Sequence, residues 1–228
     1  HYSTLEKVAV LDEDLRVSII GQMRSFWKIN NYPSTAEYAT LTLSLSNIDE
    51  HLLIESLLYK GVSLKEMQQY DQALKVLDTT TLITKSIQGA QAKFHKGEIL
   101  FLQGQHELCE NEIMDLVKQK PSYDYWLARG IILLGDNFLA VGDYFNAKHS
   151  LQSIVDNYDG KSKSELVSMA QQKIDAIVVL EEAQETQFED QEVEIDFENQ
   201  DPKDGELFDD SQLENPESED PKIEDNEK

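Results

Sequence analysis

The chain has one cysteine in 228 residues, so no intramolecular disulfide can form and redox compartment cannot be read from it. No apolar run approaches the roughly 18 residues a bilayer span needs, so direct membrane insertion is not expected. Basic residues are scarce: 20 Lys and Arg face 44 Asp and Glu, a formal charge of −24. Such a chain repels phosphate backbones, which excludes nucleic acid as an expected partner. The glycines form no phosphate-cradling loop, and neither GxxxxGK[ST] nor GxSxG occurs. None of His1, His51, His95, His106 and His149 makes a metal-spaced pair with Cys109 or another His. His95 and Glu98 share a helical face and read as a packed or solvated pair. The chain is expected to be non-enzymatic, without catalytic residues, metal or cofactor.

The acidity is uneven. From Glu181 onward 21 acids meet 3 lysines, a balance of −18 over 48 residues, and the remaining 180 residues carry only −6. Periodicity stops after Gln184, and Pro202, Pro216 and Pro221 interrupt the remainder, so residues 186–228 read as a disordered acidic tail. Within it, Glu192 to Glu198 alternates acidic and apolar, the pattern of an ordinary tail or of a short linear motif. Paired carboxylates in such a segment cannot be held at the fixed separation that acid–base chemistry needs.

The rest of the chain contains a period. Gly61, Gly97 and Gly135 lie 36 and 38 residues apart, and each precedes a turn by the same interval. Tyr70, His106 and Tyr144 follow at those turns, then Ala73, Cys109 and Ala147, then Leu77, Ile113 and Leu151. A glycine inside a helix costs about 1 kcal/mol relative to Ala, so three in phase argue for close helix packing. Gly61, Ala73, Gly97, Cys109, Gly135 and Ala147 are the expected contact points between paired helices, with Cys109 a packed thiol in an alanine slot.

In chain order, residues 1–13 read as the end of a preceding helix, with Leu5, Val8 and Ala9 on one stripe. Residues 14–48 form a divergent pair, because Gly21 to Tyr32 is two residues longer than Gly61 to Tyr70. Pairs follow at 49–86, 87–121 and 122–160, and a capping helix at 161–185 covers the open end, as stacked arrays require. The absence of Met at position 1 suggests a fragment or processed product.

This pattern resembles the tetratricopeptide repeat over Leu15 to Asp159, most specifically in GDYFNA at Gly142–Ala147 and YDQA at Tyr70–Ala73. The resemblance implies an all-α fold: a right-handed α-solenoid of helix hairpins with a C-terminal capping helix. Tyr123–Tyr158 with the helix behind it, and VSIIGQMRSFWKINNY at Val17–Tyr32, are similar to the C-terminal end and an earlier repeat of large Bacteroidota tetratricopeptide proteins. That likeness implies a periplasmic, envelope-associated scaffold that takes part in an outer-membrane or other envelope complex. A cytoplasmic location remains the alternative.

In such a stack the first helix of each pair lines a concave face. With the glycines setting the phase, the expected partner groove consists of Phe26, Leu58, Val62, Phe94, Glu98, Phe101, Leu102, Ile132, Asp136 and Leu139, an apolar trough with acids along it. Phe94, Phe101, Leu102 and Leu139 are the expected anchors for a partner segment. The branch of the repeat family that grips a terminal carboxylate uses Lys and Asn here. The Asn places carry Gln22, Val62, Glu98 and Asp136, so that ligand is not expected. Two functions are compatible with this pattern: an interaction scaffold for other proteins through the groove, or capture of basic or unfolded partners by the acidic tail.

Overall fold

The computed structural model describes residues 1–4 and 12–189. The tail from residue 190, its Glu192–Glu198 alternation and the stripe of Leu5, Val8 and Ala9 lie outside the described residues. Among the described residues the longer elements are all helices: α1 (Asp12–Lys28), α2 (Tyr32–Leu43), α3 (Glu50–Glu66), α4 (Tyr70–Ile83), α5 (Ile87–Leu102), α6 (His106–Lys118), α7 (Asp124–Ala140), α8 (Tyr144–Asn157) and α9 (Lys163–Glu189). They form four antiparallel pairs and a closing helix, an α-solenoid. Two boundaries depart from expectation. Asp12 and Glu13 belong to α1, where their charges favour the helix N-terminus. The closing helix runs to Glu189, so residues 186–189 are helical rather than the start of a disordered tail.

Each pair turns the same way. Asn30, Gln68, Gly104 and Gly142, at equivalent positions, all adopt positive φ. The next amide donates back to the helix it has left, Asn31 to Phe26 O, Gln69 to Leu64 O, Gln105 to Leu100 O and Asp143 to Phe138 O, at 2.9–3.0 Å. This left-handed closure satisfies carbonyls that the helix end would leave without partners.

Between the paired helices the glycines do what their spacing suggests. A Cβ on Gly61 would lie 2.7 Å from Leu77 Cδ2, one on Gly97 2.6 Å from Ile113 Cδ1, and one on Gly135 2.8 Å from Leu151 Cγ. Ala73, Cys109 and Ala147 are fully buried on the second helices. Burial, then Glu110 and Glu112, push the Cys109 thiol up to about 12, which keeps it an unreactive packed group.

The first pair is built differently from its expected form. Its turn is not lengthened: Asn30 and Tyr32 stand 38 residues before Gln68 and Tyr70. The residue at the Gly61 position is Met23, and Ala39 stands at the Leu77 position, both with no exposed surface. Gly21 faces the other way, where a Cβ would collide with the ring of Tyr2. Ser18 Oγ donates to Tyr2 O at 2.6 Å on the same face.

The core is a string of local clusters, one per step of the stack, as expected when each unit contacts only its neighbours. The last joins α7 and α8 to Leu166, Ala170, Ile174 and Ile177 of α9. On the outer side Lys96 of α5 ties α4 to α6, 2.6 Å from Asp78 and 2.8 Å from Glu112.

Candidate functional site

The first helices touch their successors, α3 with α5, α5 with α7 and α7 with α9, while consecutive second helices make at most marginal contact. The stack is therefore tighter on the side of the first helices, and these line its inner face.

Ion pairs join the steps of that face. Arg24 of α1 holds Glu55 of α3 through contacts of 2.6–3.1 Å from Nε and Nη2. Trp27 stacks on Tyr59 beside it, with centroids 4.2 Å apart. Burial, then Glu55, push the Tyr59 phenol up to about 12. Lys65 of α3 reaches Glu98 of α5 at 2.8 Å, and Arg129 of α7 stands 3.7 Å from the same carboxylate. Lys173 of α9 donates to Asp136 of α7 at 2.6 Å.

The middle of this ladder is its most enclosed part. His95 is buried, with Nδ1 2.6 Å from Glu98 Oε2 and 3.3 Å from Lys65 Nζ. Burial, assisted by Lys65 and Arg129, holds the imidazole below its ordinary value against the opposing pull of Glu98. Burial alone would raise Glu98, yet hydrogen bonding from His95 and Lys65 and the adjacent positive charge hold it at about 2. The neutral imidazole then donates from Nδ1 to an ionised carboxylate. Arg129 lies over Phe94, Cζ 4.4 Å from the ring centroid, and 5.7 Å from that of Trp126. A guanidinium held on aromatic faces keeps its edge donors toward the trough.

The expected groove residues divide. Leu58, Val62, Phe94 and Ile132 are 2–4% exposed and belong to the core. They correct the expectation of an open apolar trough at these positions. Leu58, Phe94 and Ile132 stand three residues before the glycines, on the seam between successive first helices, and the next helix covers them. Phe94 lies beneath Arg129 and Trp126, and Ile132 packs in the cluster that includes Leu166 and Ala170. Phe26 is half-buried against Tyr38, 5.5 Å between centroids. Glu98 and Asp136 face inward as the acids expected along the trough, and each is paired with a cation. Leu102 is 59% exposed, and Phe101 and Leu139 are half-buried. Accessible apolar surface thus lies at the C-terminal turns of α5 and α7, and separately at Met169, in the second turn of α9, at 40% exposure. A cavity of about 120 Å³ lies among Glu98, Arg129, Asp136, Met169 and Lys173, between the middle of α7 and the first turns of α9.

Sequence reasoning missed Arg129, Trp126, Lys173 and Asn137. Asn137 is 2% exposed; its amide donates to His106 O at 3.1 Å, and its Oδ1 lies 2.9 Å from His106 Nδ1. The signal was an Asn inside the apolar run of α7, where a buried amide must find partners. Among the described residues no group of three His, Cys, Asp or Glu side chains could hold a metal ion, and no helix is long and apolar enough to cross a membrane.

Comparison with known proteins agrees with this architecture. The tetratricopeptide-repeat profile matches residues 55–80, the stretch that contains Tyr70–Ala73. The solved structure of "MamA 41-end from Desulfovibrio magneticus RS-1" is similar at a TM-score of 0.52 and 17% identity, over 77% of this chain and 99% of that one. The "MamA RS-1 ArsTM double mutant" is similar at 0.52 and 16%, over 78% and 99%. No curated protein matches the chain. The likeness to the solved structures is one of fold.

Proposed function

We propose that the chain is a non-enzymatic scaffold that holds a segment of a partner protein along its inner face. The observation that carries this reading is the division of that face. Its charged side chains are paired across every helix step, while Leu102, Phe101 and Leu139 leave apolar surface at the C-terminal turns of α5 and α7, and Met169 adds exposed apolar surface in the second turn of α9. A fold that used this surface for its own core would have buried it, as it buries Phe94. Exposed apolar positions rimmed by paired charges suit an amphipathic or extended segment, anchored apolar side inward. An envelope complex as the setting rests on the likeness of Tyr123–Tyr158 to envelope tetratricopeptide proteins and is part of the proposal.

Photo-crosslinking side chains placed at 102 and 139 in cells test it. The expected outcome is the same discrete adduct from both positions, lost when Leu139→Glu is added to the 102 variant, and absent from position 82 on the outer helix α4. Equal labelling from position 82, or adducts indifferent to Leu139→Glu, would sink the inner-face reading. Fractionation of the adduct with the cell envelope or with the cytosol decides its setting.

A further inference from the structure

At the other end of the last hairpin, where α7 begins and α8 ends, lies a cleft of about 490 Å³. Its position follows from one shortened side chain. In the preceding hairpin Gln119 is buried, and its amide donates to Lys85 O at 3.2 Å, closing the foot of the pair onto the loop that enters α5. The residue 38 positions on is Asn157, one methylene shorter, and its amide turns back to Ser153 O at 3.0 Å on its own helix. Among the described residues no Asn157 hydrogen bond then ties the foot of α8 to the entry of α7, and the space between them stays open.

The lining is apolar at the floor and acidic at the rim. Leu127, Ala128 and Ile131 of α7 face Ile154 of α8, and Asp124 and Asp159 stand above them with no lysine or arginine among the lining residues. Tyr158 forms a fixed wall. Its ring is buried, its hydroxyl donates to Lys161 O at 2.6 Å, and a Cβ on Gly160 would lie 2.7 Å from the Tyr158 hydroxyl oxygen, so the loop fits over it only with glycine there. The two acids differ. Asp159 is paired with Lys163 at 2.8 Å and Lys161 lies over Tyr125, whereas no basic partner pairs with Asp124 among the described residues. Asp124 is close enough to the Tyr158 phenol to add to the upward push that burial gives it. The volume is that of a small-molecule site, apolar with few polar groups.

We propose that this cleft binds a small organic cation: an apolar body seated on Leu127, Ile131 and Ile154, with a primary ammonium on the Asp124 carboxylate. Anions are repelled by the rim, and a neutral alcohol gains the floor but leaves the carboxylate without a counter-charge. The site lies apart from the inner face and does not depend on the scaffold reading.

Calorimetric titration of the full chain tests it with 4-phenylbutylamine, 4-phenylbutanol and 4-phenylbutyrate. The amine should bind saturably at one site, and the alcohol and the carboxylate at least ~10-fold more weakly, as loss of a charge-assisted contact requires. Asp124→Asn should weaken the amine by a similar factor, and Ile131→Trp, which fills the floor, should abolish its binding. Ser153→Phe, from the opposite wall, serves if Ile131→Trp does not fold. Amine binding that survives Asp124→Asn and a folded blocking variant would mean that other acids of the chain capture it, and overturns the proposal. So would equal affinity for the alcohol, or no saturable binding of the amine at millimolar concentration.

Discussion

In the three later hairpins the first helix contributes a glycine and the second a Leu or Ile: Gly61 with Leu77, Gly97 with Ile113, Gly135 with Leu151. In the first hairpin the first helix contributes Met23 and the second Ala39, and both are fully buried. The volume at the contact is supplied once in each case, from opposite sides. What repeats along the chain is therefore the closeness of two backbones and the left-handed turn that joins them, and the identity of the residue filling the gap is free to move across it. Close packing tolerates such volume-conserving exchange better than it tolerates excess or void.

The largest effect should come from forcing the exchange in one step at a time. Leu151→Ala alone should cost about 2–5 kcal/mol, the usual range for an emptied core site. Gly135→Met alone should cost about 1–3 kcal/mol or more, because its Cβ would already meet Leu151 Cγ at 2.8 Å. The double variant copies the first hairpin, and its loss in urea unfolding should fall short of the sum by about 1–3 kcal/mol, the coupling expected of touching residues. Additive losses would show that the Met23–Ala39 arrangement depends on something other than shared volume.

A second difference between the hairpins is titratable. Tyr59 and His95 occupy equivalent places on α3 and α5, 36 residues apart. Tyr59 stacks on Trp27, while His95 is sealed among Lys65 of α3 (itself paired with Glu66), Glu98 of its own helix and Arg129 of α7. With its folded value held below that of the unfolded chain by burial, the unfolded state takes up the proton first. His95 then contributes stability that is present above about pH 6.5, the ordinary histidine value, and is lost as pH falls toward its folded value. Glu98, held at about 2, acts in the same direction lower down: its contribution is present above the ordinary carboxylate range and lost as pH falls through 2. Each group adds a slope of at most about 1.4 kcal/mol per pH unit. His95→Leu, which copies Leu133 at the next equivalent place, should flatten unfolding free energy between pH 7 and pH 5. An unchanged slope would assign the acid sensitivity to the other carboxylates.

These comparisons also show which features could be read from residues alone. Gly61, Gly97 and Gly135 were legible because glycine inside a helix is costly and has one common reason to stay. The same reasoning fails at Met23, since a methionine on a helix signals nothing by itself and its counterpart Ala39 lies sixteen residues away. The inner face was legible in direction but not in depth. Phase places Phe94 inward, yet whether it is floor or core depends on Arg129 and Trp126 from the next helix, which no periodicity within α5 reports. Leu102 and Leu139, about two turns beyond Phe94 and Ile132, escape that cover because the first helices end there. The foot cleft was illegible for a similar reason: Asn157 differs from Gln119 by one methylene, and only the bond that Gln119 makes to Lys85 O gives that methylene a meaning.

The smallest expected effect concerns the turns, where all four hairpins agree in geometry but not in residue. Asn30, Gln68, Gly104 and Gly142 take φ of 55°, 60°, 69° and 79°. Left-handed backbone costs an ordinary residue roughly 1–2 kcal/mol and glycine almost nothing, with Asn between them. Gln68 is the one residue of the four with no local means of easing that strain. Gln68→Gly should therefore stabilise the chain by about 1 kcal/mol, read as a higher urea midpoint with unchanged slope. Gly104→Ala and Gly142→Ala should each lose a similar amount, and for the backbone reason alone, because a Cβ at either site meets nothing within 4 Å. If Gly104→Ala loses stability while Gln68→Gly gains none, the Gln68 side chain must be supplying contacts that offset its strain. The cleft it shares with Gln69, Gln72 and Gln103 is where those contacts would be found, and Gln103→Ala would then cost less when combined with Gln68→Gly than when made alone.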